Sequence, residues 1–285
     1  MPELPEVETI KNDLSEKILN KKIVGVEILN KKIVRNSANY FNEKLIKKCF
    51  TEITRRGKLM ILEVDNGLFL LIHLRMTGQL IYQNKDEIIA GGHEQKALAE
   101  KLPNKHTHVA IKFADNSILY YNDLRRFGFL KIVDKGELVK ELEKFGPEPL
   151  KKDFNATYLK TKLKNKNLAI KAFLLNQKSI AGIGNIYADE ALFAAKMLPN
   201  RGAWSLSDKE IEILVKEIKK ILQKSIKYRG TTFNNYRDSE GKKGNFSQML
   251  KVYGRGGKKC VNCGEALKKI KVGGRGTVFC EKCQV

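Results

Sequence analysis

The residues best suited by type to do chemistry lie at two places: Pro2 and Glu3 behind the initiator methionine, and four cysteines between 260 and 283. Methionine ahead of proline is normally trimmed, which leaves Pro2 with a free secondary amine. An α-amino group titrates near pH 8, about two units below lysine, so part of it is neutral and nucleophilic at pH 7. A secondary amine that attacks a sugar C1′ gives an iminium directly. Glu3 beside it is a carboxylate suited to moving protons on the sugar or base. Taken alone, Pro2 is better read as an accident of the translation start.

The cysteines carry a stronger signal. Cys260-x2-Cys263 and Cys280-x2-Cys283 are separated by sixteen residues, a spacing that matches a tetrahedral four-thiolate Zn2+ site with each pair on a tight turn. Two disulfides are the alternative, and a cytoplasmic location argues against them by keeping thiols reduced. With four protein ligands no position is left open for substrate, so the zinc is read as structural. It stiffens a hairpin too small to carry its own core. Arg275 lies near the tip of that hairpin. Cys49, alone among apolar residues, is read as core.

Composition says what such groups act on. The 285 residues contain 54 Lys and Arg against 32 Asp and Glu, a net charge of +22. That excess points to a polyanion, and so to nucleic acid. Residues 251–285 alone hold nine bases and two acids. The longest apolar run, Leu68 to Ile72, is too short to span a bilayer, and the acidic start is unlike a signal peptide. The expectation is a cytoplasmic protein with no membrane partner.

The elements that position these groups follow from periodicity. Glu6 to Asn20 reads as a helix with Val7, Ile10, Leu14 and Ile18 on one face. Pro5 suits its first turn, and Glu6 and Glu8 suit its positive end. KKIVGVEIL, KLMILEVDNG, LFLLIHL, HVAIKFADNS and GFLKIV read as strands up to about residue 133, and residues 83–105 as a long polar loop. GPEPL (146–150) reads as a linker, and 155–229 as helices. Ser207 and Glu210 form a capping box for the helix that runs to Gly230. Residues 231–247 read as a polar loop. In QKSIAGIGNIYADE, Gly182 and Gly184 permit a tight turn, and Asn185 reads as the cap of the following helix, whose amides suit a phosphate. A tightly packed helix hairpin explains that stretch about as well.

MPELPEVET, RRGK (55–58), HLRMTG (73–78), DLRRFG (123–128), QKSIAGIGNIYADE (177–190) and the cysteine tail occur in one order along the whole chain. In this set the sequence resembles the formamidopyrimidine-DNA glycosylase / endonuclease VIII family, and the opening motif and RRFG favour its formamidopyrimidine-DNA glycosylase branch. The resemblance implies an α+β multidomain fold: an N-terminal catalytic β-sandwich with a leading helix (1–134), a linker (135–150), a helix–two-turn–helix domain (151–250) with a lesion-capping loop at 231–247, and a β-hairpin zinc finger (251–285). It implies a bifunctional base-excision-repair enzyme, a DNA glycosylase and AP lyase. Such an enzyme removes 8-oxoguanine and formamidopyrimidines from damaged double-stranded DNA through a Schiff base, then nicks the strand by β,δ-elimination.

By the same resemblance the catalytic set is Pro2 as nucleophile, Glu3 as general acid/base, Glu6 as an accessory carboxylate, Lys58 at the lesion phosphate and in elimination, and Arg275. His106, Lys166 and Asn185, with Arg275, would contact phosphates. Met76, Arg125 and Phe127 would fill the hole left by the extruded base. Arg75 stands where much of the family has a small residue. A monomer on the bacterial chromosome is expected. Two alternatives stay open: an endonuclease VIII-type enzyme for oxidised pyrimidines, or a non-catalytic zinc-ribbon nucleic-acid-binding protein. Only Pro2, Glu3 and Lys58 speak against the latter.

Overall fold

Helix α1 (Leu4–Ile18) begins behind a capping box of Glu3 and Glu6 with Pro5 in its first turn, and it turns Val7, Ile10, Leu14 and Ile18 into the interior, each at most 2% exposed. Burial of four such side chains is worth on the order of 1.5–3 kcal/mol apiece. The computed structural model describes residues 1–92, 101–231 and 246–285. They form two compact units, one of Met1–Glu143 with residues 229–231, the other of Lys144–Tyr228 with Phe246–Val285.

The first unit is a sandwich of two antiparallel sheets. Strands β1 (Ile23–Ile28), β5 (Gly78–Gln83), β6 (Ile88–Gly92), β7 (Thr107–Phe113) and β8 (Ile118–Asp123) make one sheet in the order β1-β7-β8-β5-β6. Strands β2 (Phe50–Arg56), β3 (Leu59–Val64), β4 (Phe69–His73) and β9 (Phe129–Val133) make the other, in the order β2-β3-β4-β9. One core joins them to α1, with Phe50, Leu62, Leu70 and Ile72 from one sheet meeting Leu80, Val109, Ile111 and Tyr121 from the other. Helix α2 (Ala38–Leu45) starts at Ser37, whose side chain accepts the Tyr40 amide.

Two expectations change here. The interval 83–105 is not one long loop: Ile88–Gly92 is strand β6, in register with β5 from Gln79↔Gly92 to Gln83↔Ile88. Charged neighbours on both sides hide that short β-branched run in the sequence. Part of the interval, 93–100, lies outside the described residues. Within 135–150, Asp134 caps helix α3 (Lys135–Leu142) by accepting the Glu137 amide.

The second unit contains α4 (Ala156–Leu163), α5 (Ile170–Leu175), α6 (Asn185–Ala194), α7 (Asp208–Lys227) and a hairpin of β10 (Lys268–Val272) and β11 (Arg275–Phe279). The Ser207–Glu210 capping box is present, with the Ser207 amide donating to Glu210 at 2.8 Å. Arg201 also pairs with Glu210, and these bonds hold its carboxyl down to about 2. Asn185 is not the cap of α6. Gly184 takes that place, and Asn185 is the first helical residue, its side chain free to point elsewhere. The expected 231–247 loop lies outside the described residues except at 231, 246 and 247.

Candidate active site

The N-terminal groups converge in the first unit. Pro2 is buried, Glu3 is 2% exposed, Glu6 1% and Lys58 5%. Glu6 Oε2 accepts the Glu3 amide at 2.9 Å, which fixes the entry of the chain into α1. Lys58 follows Gly57, whose φ of +57° makes the turn from β2 to β3. Arg55, the penultimate residue of β2, pairs with Glu8 of α1 at 2.5 Å and so ties the RRGK turn to the helix. Lys58 is therefore no surface lysine.

Before Met1 is trimmed, the free amine belongs to Met1 and the Pro2 nitrogen is an amide. Burial pushes that amine below its ordinary value of 8.0; Glu3 and Glu6 push it up and Lys58 pushes it down. The terminus therefore sits among the three charged groups assigned to the chemistry. A desolvated amine holds less proton and is the better nucleophile.

Met76, Arg125 and Phe127 stand on two adjacent turns of the same unit. Met76 is half-buried, while Arg125 and Phe127 are exposed, Phe127 by 51%. The Arg125 guanidinium lies over the Phe127 ring, 4.6 Å from its centroid. An apolar ring left half in water at a turn tip is unusual for a core residue, which is how the sequence alone would place it. Arg75 adopts φ +50°, and its amide donates to His73 Nδ1 at 3.0 Å. Burial, with the Arg75 and Lys58 charges, holds the His73 imidazole neutral, its pKa down to about 3. His106 is half-buried just before β7, where its carbonyl accepts the Asp123 amide at 3.0 Å.

In the second unit, Gln177 threads the glycine turn. It accepts the Gly182 amide at 2.8 Å and donates to the Ile183 carbonyl at 2.8 Å, while Gly182 supplies φ +93°. This turn delivers Asn185, which donates to the Gly276 carbonyl at 2.9 Å, next to exposed Arg275. Asn185 and Arg275 are thus brought together. Lys166 is exposed in the turn after α4.

Sequence reasoning missed the groups that hold Arg275 in place. Lys171 and Asp189 form an ion pair at 2.6 Å, with side chains 0% and 1% exposed. Lys171 donates to Thr277 Oγ1 and to the Gly276 carbonyl, and Asp189 accepts the Val278 amide. Glu190 Oε1 accepts the amides of Lys251, Val252 and Tyr253 at 2.9–3.0 Å. The adjacent acids in YADE were a signal: a helix rarely buries two carboxylates without donors to receive.

The four cysteine Sγ atoms lie within 4.8 Å of one another, with Cys260 to Cys283 at 3.9 Å and Cys263 to Cys280 at 3.4 Å. Tetrahedral zinc–thiolate bonds of about 2.3 Å set sulfurs about 3.8 Å apart, so the set fits Zn2+. The Asn262 amide points at Cys260 Sγ, 3.4 Å away, as a knuckle turn requires. No described helix is long and apolar enough to cross a membrane.

Comparison with known proteins agrees along the chain. Residues 1–130 match the formamidopyrimidine-DNA glycosylase N-terminal domain, 145–237 the formamidopyrimidine-DNA glycosylase H2TH domain, and 257–285 the zinc finger found in FPG and IleRS. A formamidopyrimidine-DNA glycosylase of Syntrophomonas wolfei is 46% identical over 284 residues, and one of Carboxydothermus hydrogenoformans 43% over 285, each covering 100% of both chains. Two solved structures are 36% identical and cover 99% of both chains. One is the complex of Lactococcus lactis Fpg with Fapy-dG-containing DNA, at a TM-score of 0.85. The other is the complex of Lactococcus lactis Fpg with abasic-site-containing DNA, at 0.86.

Proposed function

The chain belongs to the formamidopyrimidine-DNA glycosylase family, and from that premise we propose how its own residues carry out the reaction. It is a DNA glycosylase of base-excision repair with an associated lyase activity and a structural zinc. Its substrate is duplex DNA carrying an oxidised purine, 8-oxoguanine or a formamidopyrimidine.

After removal of Met1, the Pro2 amine attacks C1′ of the damaged nucleotide. The N-glycosidic bond breaks, the base leaves with a proton, and Pro2, having given up its own proton, is joined to C1′ of the still-closed sugar. Glu3 then passes a proton to O4′, the C1′–O4′ bond breaks, and the nitrogen lone pair forms the Schiff base; loss of a C2′ proton from it expels the 3′ phosphate. A second elimination expels the 5′ phosphate. Lys58, buried at the turn from β2 to β3, holds the lesion phosphate and serves the elimination, and Arg275 serves it from the hairpin. Glu6 orients Glu3 through its backbone. His106, Lys166 and Asn185 hold phosphates, and Met76, Arg125 and Phe127 occupy the vacated space. The enzyme acts as a monomer in the cytoplasm.

One observation supports this reading: Pro2 is buried with Glu3, Glu6 and Lys58, three charged groups from one helix start and one strand turn that all act on the terminal amine of the untrimmed chain. A zinc-ribbon binder has no use for that constellation. Borohydride reduction during reaction with duplex DNA containing 8-oxoguanine opposite cytosine should yield a covalent complex through Pro2. Blocking the terminal amine should abolish it. Undiminished cross-linking after blocking overturns Pro2 as nucleophile, and preferential action on oxidised pyrimidines moves the chain to the endonuclease VIII branch.

A further inference from the structure

Asp123, the last residue of β8, is fully buried, and its carboxylate meets donors from both turns that carry Met76, Arg125 and Phe127. Oδ1 accepts the Thr77 hydroxyl at 2.5 Å and the Arg125 amide at 3.1 Å. Oδ2 accepts the Gly128 amide at 2.8 Å and faces the Tyr121 hydroxyl at 3.5 Å. The Thr77 oxygen in turn accepts the Arg125 amide at 3.0 Å. The backbone of Asp123 adds two more ties: its amide donates to His106 and its carbonyl meets His108 Nε2 at 2.7 Å.

These bonds all lie at the base of one projection. Between the bonded amides of Arg125 and Gly128 the chain turns through Arg126 at φ +58°, and Leu124 and Phe127 are each 51% exposed. Gly128 closes the base because a Cβ there would stand 1.8 Å from the Tyr121 hydroxyl. Thr77, one residue beyond Met76, is joined to the same carboxylate from the other side. Asp123 also pairs with Gly78 across the sheet.

We propose that Asp123, acting with Thr77, is a positioning residue for base extrusion, locking the Met76 turn and the Arg125–Phe127 turn in one register so that the three side chains enter the duplex as a unit. This rests on the reading that those three fill the void. Unstacking a base costs a few kcal/mol, and a wedge on a loose loop yields instead of separating the stack. Ordering a backbone costs about 1–2 kcal/mol per residue, a cost this network meets at folding and not at the moment of insertion.

Asp123→Asn is the sharp test because it keeps the shape. Two donors face each carboxylate oxygen, so either orientation of the amide sets its NH2 against donors. The probe is duplex DNA with 8-oxoguanine opposite cytosine and 2-aminopurine beside that cytosine. Asp123→Asn should lose most of the fluorescence rise on mixing and slow single-turnover excision roughly tenfold or more. Cross-linking to a single-stranded oligonucleotide with a preformed abasic site, where no void exists, should stay within about twofold.

Thr77→Val should show the same pattern more weakly, and Thr77→Ser should restore it. That pair decides the matter if Asp123→Asn does not fold. Wild-type fluorescence and excision in both Asp123→Asn and Thr77→Val overturn the proposal, as does a parallel loss on the single strand. If Met76→Ala and Phe127→Ala themselves leave the signal unchanged, the void-filling reading has failed instead.

Discussion

Glu6 Oε1 accepts both the amide of Thr231, at 2.9 Å, and its hydroxyl, at 3.0 Å. With Oε2 on the Glu3 amide, one buried carboxylate holds both the reactive end of the chain and Thr231, just beyond α7. Asp13 and Arg229 reinforce that junction at 2.7 Å. Glu6→Gln sets an NH2 group against these donors and should destabilise the protein by about 1–3 kcal/mol. Urea unfolding measures it, and a change within error would mean that Glu6 anchors nothing.

The buried terminal amine should show itself in pH dependence. The nucleophile is the free base, present above its pKa, and the surroundings that lower the Met1 amine of the untrimmed chain should act in the same direction on the Pro2 amine that trimming exposes. Cross-linking to a preformed abasic site should therefore rise with pH to a midpoint below the ordinary α-amino value of about 8. Lys58→Met removes a cation that pushes the amine down and should move the midpoint up. Glu3→Gln should move it the other way. A wild-type midpoint at or above 8.0 contradicts the burial argument.

Lys171→Met leaves Asp189 as a buried unpaired carboxylate and should cost about 3–5 kcal/mol, while Lys171→Met with Asp189→Leu should recover most of it. Burial outweighs the Lys171 charge and pushes the Asp189 carboxyl up to about 6 from an ordinary 3.8. The folded protein then binds this proton before the unfolded chain does. Stability from this group should fall as pH rises from about 4 to 6 and stay level above that. Chemical unfolding across that range, against Asp189→Asn, reads the difference.

Zinc should be present at one atom per chain by emission spectroscopy. Cys263→Ser or chelation should remove it and weaken duplex binding about tenfold or more, because the hairpin that carries Arg275 loses its closure. Far-ultraviolet signal from the β-sandwich should persist. An unchanged affinity in metal-free protein would separate Arg275 from DNA contact.

Local signals revealed much of the fold and of the site. Val7, Ile10, Leu14 and Ile18 announce α1, and the Ser207–Glu210 box marks the start of α7, because both depend on residues within one or two turns. Strand β6 was hidden, since Ile88 and Ile89 amount to too short an apolar run to stand out among Asp86, Glu87 and Glu94. Asn185 was misplaced by one residue because Gly184, which lacks a capping side chain, takes the extended conformation itself. Asp123 and Lys171 were passed over for a different reason. Their importance lies in partners 46 and 106 residues away, and no periodicity encodes such a meeting.

The cysteine module is fastened at both ends by groups that are not cysteine. At its start Glu190 gathers the amides of 251–253. At its close Gln284 accepts the Cys280 amide and donates to the Met197 carbonyl, and Val285 bonds Lys196 and Leu198. Metal loss therefore opens a loop whose two feet stay planted. The released thiolates search a small volume, since the entropy of bringing the feet together is already spent. Reconstitution with Zn2+ should therefore be a local reclosure, faster than refolding of the whole chain.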